Sequence, residues 1–151
     1  YLAKRYQNTK FIGVDASALM LEIASKKIIK ENLSNQIKLI RGLAGIHEFQ
    51  KKIDRFVFSY SLSMMSKPRE ILENCLEQMP PGGTIHIVDF GDFKLWPSIF
   101  KTSTIKFLNL FEVFPKPDSV RDFETDKKYI LDYRTKLGGY SYMATLKIRG
   151  I

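Results

Sequence analysis

One cysteine, Cys75, in 151 residues has no partner for an intramolecular disulfide, so the core must hold the fold and a reducing compartment suits it. Histidine is almost as scarce. His47 lies in a polar stretch and His86 alternates with apolar residues inside an apparent strand, and neither has Cys, His or Asp at ligand spacing. No metal site is expected. No apolar run reaches the ~18 residues that cross a bilayer, and no signal-peptide pattern occurs, so the expected location is cytoplasmic. No internal repeat, low-complexity tract or linker divides the chain, and a single domain over 1–151 is expected. No Ser-His-Asp arrangement is evident. The glycine-containing stretch "PPGG" (80–83) enters a strand and does not cradle a phosphate.

What is present is basic and apolar. Twenty-four Lys and Arg against sixteen Asp and Glu give a formal charge of +8, which favours an anionic partner: nucleic acid, an anionic membrane surface or a phosphorylated substrate. Lysines scattered at helical spacing favour the plainer reading, a solvated basic surface. Hydrophobic residues at 44% and charged residues at 26% are globular values, which excludes a disordered chain.

The elements alternate along the chain. "KFIGVD" reads as a buried strand, and Ala18 to Lys30 as an amphipathic helix with Leu19 and Ile23 on its inner side. "IKLIRG" (37–42) and "DRFVFSYSL" (54–62) are strands. Pro68 starts a helix with Ile71, Leu72, Cys75, Leu76 and Met79 at three-and-four spacing, where Cys75 is a small core residue rather than a nucleophile. "TIHIVDF" (84–90) follows as a strand. Strands alternating with helices over short connections imply a parallel sheet covered by helices.

The last third changes pattern. From Trp96 to Phe114 a helical period puts Trp96, Ile99, Phe100, Phe107, Leu110, Phe111 and Phe114 on one face, with Lys94, Lys101, Lys106 and Lys116 nearby. That face either covers an acyl chain or anionic bilayer, or packs on the sheet or in a homodimer. "KKYILDYRTKL" and "YSYMATLKI" flank Gly138-Gly139, which predicts an antiparallel hairpin closed by a two-residue turn.

The order "GVDAS", "IRG", "FVFSYSLSMM", "PPGGTIHIVDF" and a terminal hairpin resembles the class I S-adenosylmethionine-dependent methyltransferases, from Lys10 to about Ile148. Within them, "FSYSLSMM", "PPGGTIHIVDFGDF" and "FEVFPKPDSV" look most like the bacterial betaine-lipid N-methyltransferases, which act on a diacylglyceryl-homoserine headgroup. The resemblance implies a Rossmann-like α/β fold with a C-terminal antiparallel hairpin. It also implies S-adenosylmethionine as cofactor and N-methylation of a small or lipid headgroup amine. The alternative is a noncatalytic, degenerate domain that binds a partner subunit. Nucleic acid is not expected as substrate, because "SYSL" stands where an "NPPY"-type motif belongs.

Residue by residue, the resemblance makes Asp15 the acceptor for the two ribose hydroxyls, with Ala16 beside it; capping the next helix is the other reading, for which Ser17 is better placed. Leu43 and Ala44 occupy the adenine position. Leu43 replaces the usual acid and cannot accept a hydrogen bond from the adenine amino group. Ser59, Tyr60 and Ser61 lie under the methionine part of the cofactor, at the strand end where ligands collect. Tyr60, Asp89 and Tyr142 are the candidate catalytic cage around the acceptor, through cation–π and charge contacts. The first strand and the glycine turn, which belong about 20 residues before the ribose acid, are expected upstream of Tyr1.

Overall fold

The computed structural model describes residues 1–149, and the chain divides into two compact units, Tyr1–His47 and the residues from Glu48 onward. In the first unit, Phe11–Asp15 (β1) pairs in parallel with Ile37–Arg41 (β2), Phe11 opposite Ile37 and Asp15 opposite Arg41. A four-residue helix α1 (Leu2–Arg5) precedes them, and Gln36 Nε2 ties it to β2 from 2.7 Å off the Tyr6 carbonyl and 3.0 Å off that of Ala3. Helix α2 (Ala18–Lys30) starts where Ser17 Oγ accepts from the Met20 amide at 3.3 Å, the expected cap.

The inner face of α2 differs from expectation. Leu21, Ala24, Ser25 and Ile28 are the half-buried positions, at the i, i+3, i+4, i+7 spacing of one stripe, whereas Leu19 and Ile23 lie on the opposite side and are exposed. Two apolar stripes compete on this helix, and periodicity alone does not rank them. Among the described residues of this unit only Ala3 is fully buried.

The second unit holds a four-stranded mixed sheet in the order β3-β4-β6-β5, formed by Arg55–Ser59, Thr84–Phe90, Ser141–Ile148 and Tyr129–Lys136 respectively. β3 runs parallel to β4, and β6 runs antiparallel to both β4 and β5. Helix α3 (Pro68–Glu77) has proline at its first position, where the missing N–H costs nothing, and buries Leu72, Cys75 and Leu76. Between β4 and β6 the core is a ladder of opposed pairs on one face: Ile85 with Leu146, Ile87 with Ala144, then Asp89 with Tyr142. Period-2 alternation therefore buries the last, polar rung as firmly as the apolar ones.

Helix α4 spans Ser98–Asn109, shorter than the pattern implied. It ends because Glu112 adopts a left-handed backbone (φ 57°) and the Val113 amide turns back to the Leu108 carbonyl, a six-to-one closure. Its buried side is Ile105 and Leu108, packed with Val113, Phe93, Phe90, Trp96 and Tyr140. Of the expected aromatic face only Trp96 joins that core; Ile99, Phe100, Phe107, Leu110, Phe111 and Phe114 are exposed. A short helix α5 (Asp118–Arg121) leads towards β5.

The hairpin is real, but its turn is not the two-residue type. Lys136 pairs with Ser141, leaving Leu137, Gly138, Gly139 and Tyr140 as the connection. The segment after β4 dictates this shape: the Gly91, Phe93 and Leu95 amides donate to the Tyr140, Gly139 and Gly138 carbonyls. Gly91 allows that approach, since a Cβ there would collide with the Gly139 carbonyl oxygen.

Candidate functional site

In the first unit the end of β1 carries Asp15. Its Oδ1 accepts from the Ser17 amide at 2.8 Å, closing a turn that leads into α2, and Oδ2 has no partner among the described residues. One side-chain oxygen builds the turn while the other remains available. The neighbouring strand supports this corner: the Gly42 amide donates to the Asp15 carbonyl at 3.1 Å and Arg41 Nε to the Ala16 carbonyl at 3.3 Å. After β2, the turn at 43–47 is closed by the Ile46 and His47 amides on the Leu43 carbonyl, with Gly45 at φ 76°. Leu43 is exposed and Ala44 half-buried. A side chain such as Leu43 offers an apolar face to a flat ring and no acceptor.

In the second unit β3 ends on exposed Ser59, and Tyr60 takes a left-handed backbone (φ 51°) while its amide donates to the Val88 carbonyl at 2.8 Å. A non-glycine residue in that region is unusual and throws the side chain off the strand direction. The Tyr60 ring is 40% exposed and meets Phe90 edge-on at 4.9 Å; Phe90 in turn meets Tyr140 at 5.6 Å. Phe93 and Trp96 continue the cluster against Tyr140. Ser61 follows, half-buried, before a 3₁₀ turn over Leu62–Met64.

Burial divides the expected cage of Tyr60, Asp89 and Tyr142. Asp89 and Tyr142 do come together, as opposite residues of β4 and β6, but they are only 1% and 2% exposed. Both Asp89 oxygens are engaged by backbone, Oδ2 with the Ser63 amide at 3.1 Å and Oδ1 with the Phe90 amide at 2.7 Å. Burial, and next the Asp89 charge, push the Tyr142 phenol up, so it stays protonated. Its ring stacks on Tyr133 at 4.9 Å, and the Arg121 guanidinium lies 4.8 Å from the Tyr133 centroid while pairing with Asp92 and Asp118. Asp89 thus holds the Ser61–Ser63 turn against β4, and Tyr142 packs opposite it on β6. The aromatic surface actually exposed beside the strand end is Tyr60 backed by Phe90 and Tyr140. The sequence does not show Tyr60, Phe90 and Tyr140 as one cluster, because they are far apart in the chain and only strand register brings them together.

His86 and Cys75 are structural. His86 pairs Nε2 with Thr84 Oγ1 at 3.1 Å and Nδ1 with Thr145 Oγ1 at 3.3 Å, one ring nitrogen donating and the other accepting; burial and then Arg55 hold its pKa below the ordinary value. Burial pushes the Cys75 thiol up to about 12, so it is no nucleophile. Among the described residues no three His, Cys, Asp or Glu converge as metal ligands, and no helix is long and apolar enough to cross a membrane.

A family profile described as a methyltransferase domain matches residues 1–83. No curated protein matches the sequence. Solved structures share the fold. An S-adenosylmethionine-dependent methyltransferase from Clostridium acetobutylicum aligns with a TM-score of 0.69 at 10% identity, over 94% of this chain and 76% of the other. The YcgJ protein of Bacillus subtilis gives 0.69 at 12% identity over 94% of this chain and 84% of its own. A family 2 O-methyltransferase from Planctomyces limnophilus, in complex with apigenin, gives 0.68 at 18% identity over 97% of this chain and 45% of its own.

Proposed function

Because the chain belongs to the methyltransferase-domain family, we propose that it transfers a methyl group from S-adenosylmethionine to an amine nitrogen on a small molecule or a lipid headgroup. The observation that carries this reading is the free oxygen of Asp15 at the end of β1. A carboxylate presented there, with its second oxygen already fixed by the Ser17 amide, suits the paired hydroxyls of a ribose. Ala16 and Ala44 keep the surroundings small, and Leu43 offers apolar contact to an adenine face.

When bound, S-adenosylmethionine supplies an electrophilic methyl carbon on a sulfonium sulfur. Transfer to nitrogen is an in-line displacement, so the protein's task is alignment and exclusion of water. Ser59 and Ser61 offer hydroxyls at the end of β3. The exposed Tyr60 ring, supported by Phe90 and Tyr140, presents a π-face to an ammonium group, which favours a nitrogen acceptor over a neutral hydroxyl. No side-chain base is required, because a primary or secondary ammonium loses its proton to water before attack.

The second reading, a noncatalytic domain that binds a partner subunit, draws on Leu43, which removes one adenine contact. Turnover separates the two. Methyl-labelled S-adenosylmethionine is incubated with the protein and with ethanolamine or homoserine, free or as diacylglycerol headgroups, and products are read by mass spectrometry. Label on nitrogen is expected, and Tyr60→Ala lowers kcat/KM at least tenfold. Label on oxygen alone, or cofactor bound without turnover, rejects the amine reading.

A further inference from the structure

The outer side of α4 has no partner within its own unit. Ile99, Phe100 and Phe107, with Leu110 and Phe111 in the turn that follows, fall on the side away from Ile105 and Leu108 and are 59–80% exposed. Two loop tips next to the start of the helix are also apolar and exposed. Leu95 is 80% and Leu137 is 77% exposed, and they are neighbours because the Leu95 amide donates to the Gly138 carbonyl and Trp96 Nε1 to the Leu137 carbonyl. Leu137 holds a left-handed backbone (φ 51°), an unfavourable conformation for leucine that leaves its side chain in water. With about 200 Å² taken for a phenylalanine, Phe100, Phe107 and Phe111 alone leave roughly 350 Å² open. That reaches the largest patch of an ordinary monomer, before the four aliphatic side chains are added.

The charge around the face selects its occupant. Lys106 falls beside Ile99 on this side of the helix, Lys94 precedes it and Lys136 adjoins Leu137, and Glu112 is the single acid of residues 94–116. Apolar side chains projecting from a basic rim are the pattern of an interfacial helix on anionic lipid. A two-fold contact between copies would instead set this lysine rim against itself without acids to match it.

We propose that the outer face of α4, with the Leu95 and Leu137 tips, docks the protein on an anionic bilayer surface. The apolar side chains enter the headgroup region while the lysines meet lipid phosphates; no segment spans. The inference rests on the exposed face and not on the amine acceptor proposed above.

The test is co-sedimentation with vesicles of equal phosphatidylglycerol and phosphatidylcholine, and with phosphatidylcholine alone. Retention on the anionic vesicles at 50 mM salt is expected, at least tenfold weaker on the neutral vesicles and at 500 mM salt. Phe107→Ser combined with Leu110→Ser, and separately Lys94→Gln with Lys106→Gln, each weaken retention at least fivefold. Circular dichroism melts confirm that the exposed substitutions leave the fold intact, and methyl transfer to a soluble amine is unchanged, so failure here is distinct from failure of the proposed activity. Absence of retention overturns the proposal, as does retention indifferent to both variants. So does a stable dimer in sedimentation that cross-links through position 107, or burial of position 107 by another segment of a longer chain.

Discussion

Asp15→Asn tests the proposed cofactor corner most cleanly, because Asp15 has two separable tasks. Oδ1 accepts the 2.8 Å bond from the Ser17 amide, and an asparagine carbonyl can keep it. The amide nitrogen then replaces the free oxygen, and nitrogen cannot accept a ribose hydroxyl. Hydrogen bonds to a charged group contribute about 1.5–3 kcal/mol, so that loss weakens S-adenosylmethionine binding by about 10- to 150-fold. The melting temperature changes little, since the turn into α2 is retained. Asp15→Ala removes both tasks and should add a destabilisation of about 1 kcal/mol to the same binding defect. Isothermal calorimetry reads the affinity and thermal melts read the fold. An asparagine variant with unchanged affinity and an unchanged melt refutes the assignment of Asp15 to the ribose, whatever the alanine variant does.

Two further outcomes follow from the second unit. Asp89→Ala strands the Ser63 and Phe90 amides beneath the sheet end and should lower unfolding free energy by about 2–5 kcal/mol in urea. A loss below about 0.5 kcal/mol would mean that the buried rung is not what holds the Ser61–Ser63 turn. His86 has a lowered folded pKa, so the unfolded chain binds its proton more readily; stability from this residue is present at neutral pH and is lost as pH falls below about 6.5 towards the folded value. His86→Gln should flatten that part of the stability profile, and a profile identical to that of the unsubstituted protein refutes the linkage.

Much of this architecture is legible in one dimension because it depends on local chemistry. Ser17 and Pro68 mark helix starts by satisfying or lacking an N–H, "PPGG" ends α3, and period-2 runs mark β4, β5 and β6. Asp15 was identifiable as the acid closing a strand. Tertiary structure alone decided which of two stripes faces inward, on α2 as on α4, since both faces of each helix are apolar and only packing partners discriminate between them. It likewise turned Asp89 and Tyr142 from expected ligand contacts into a buried rung, because their depth depends on what β4 and β6 continue beneath them. The hairpin turn escaped its two-glycine signal for the same reason: the amides of Gly91, Phe93 and Leu95, some forty residues earlier in sequence, bond to its carbonyls and set its shape. A residue's propensity is written beside it in the chain, whereas its exposure is set by residues far away that cover it.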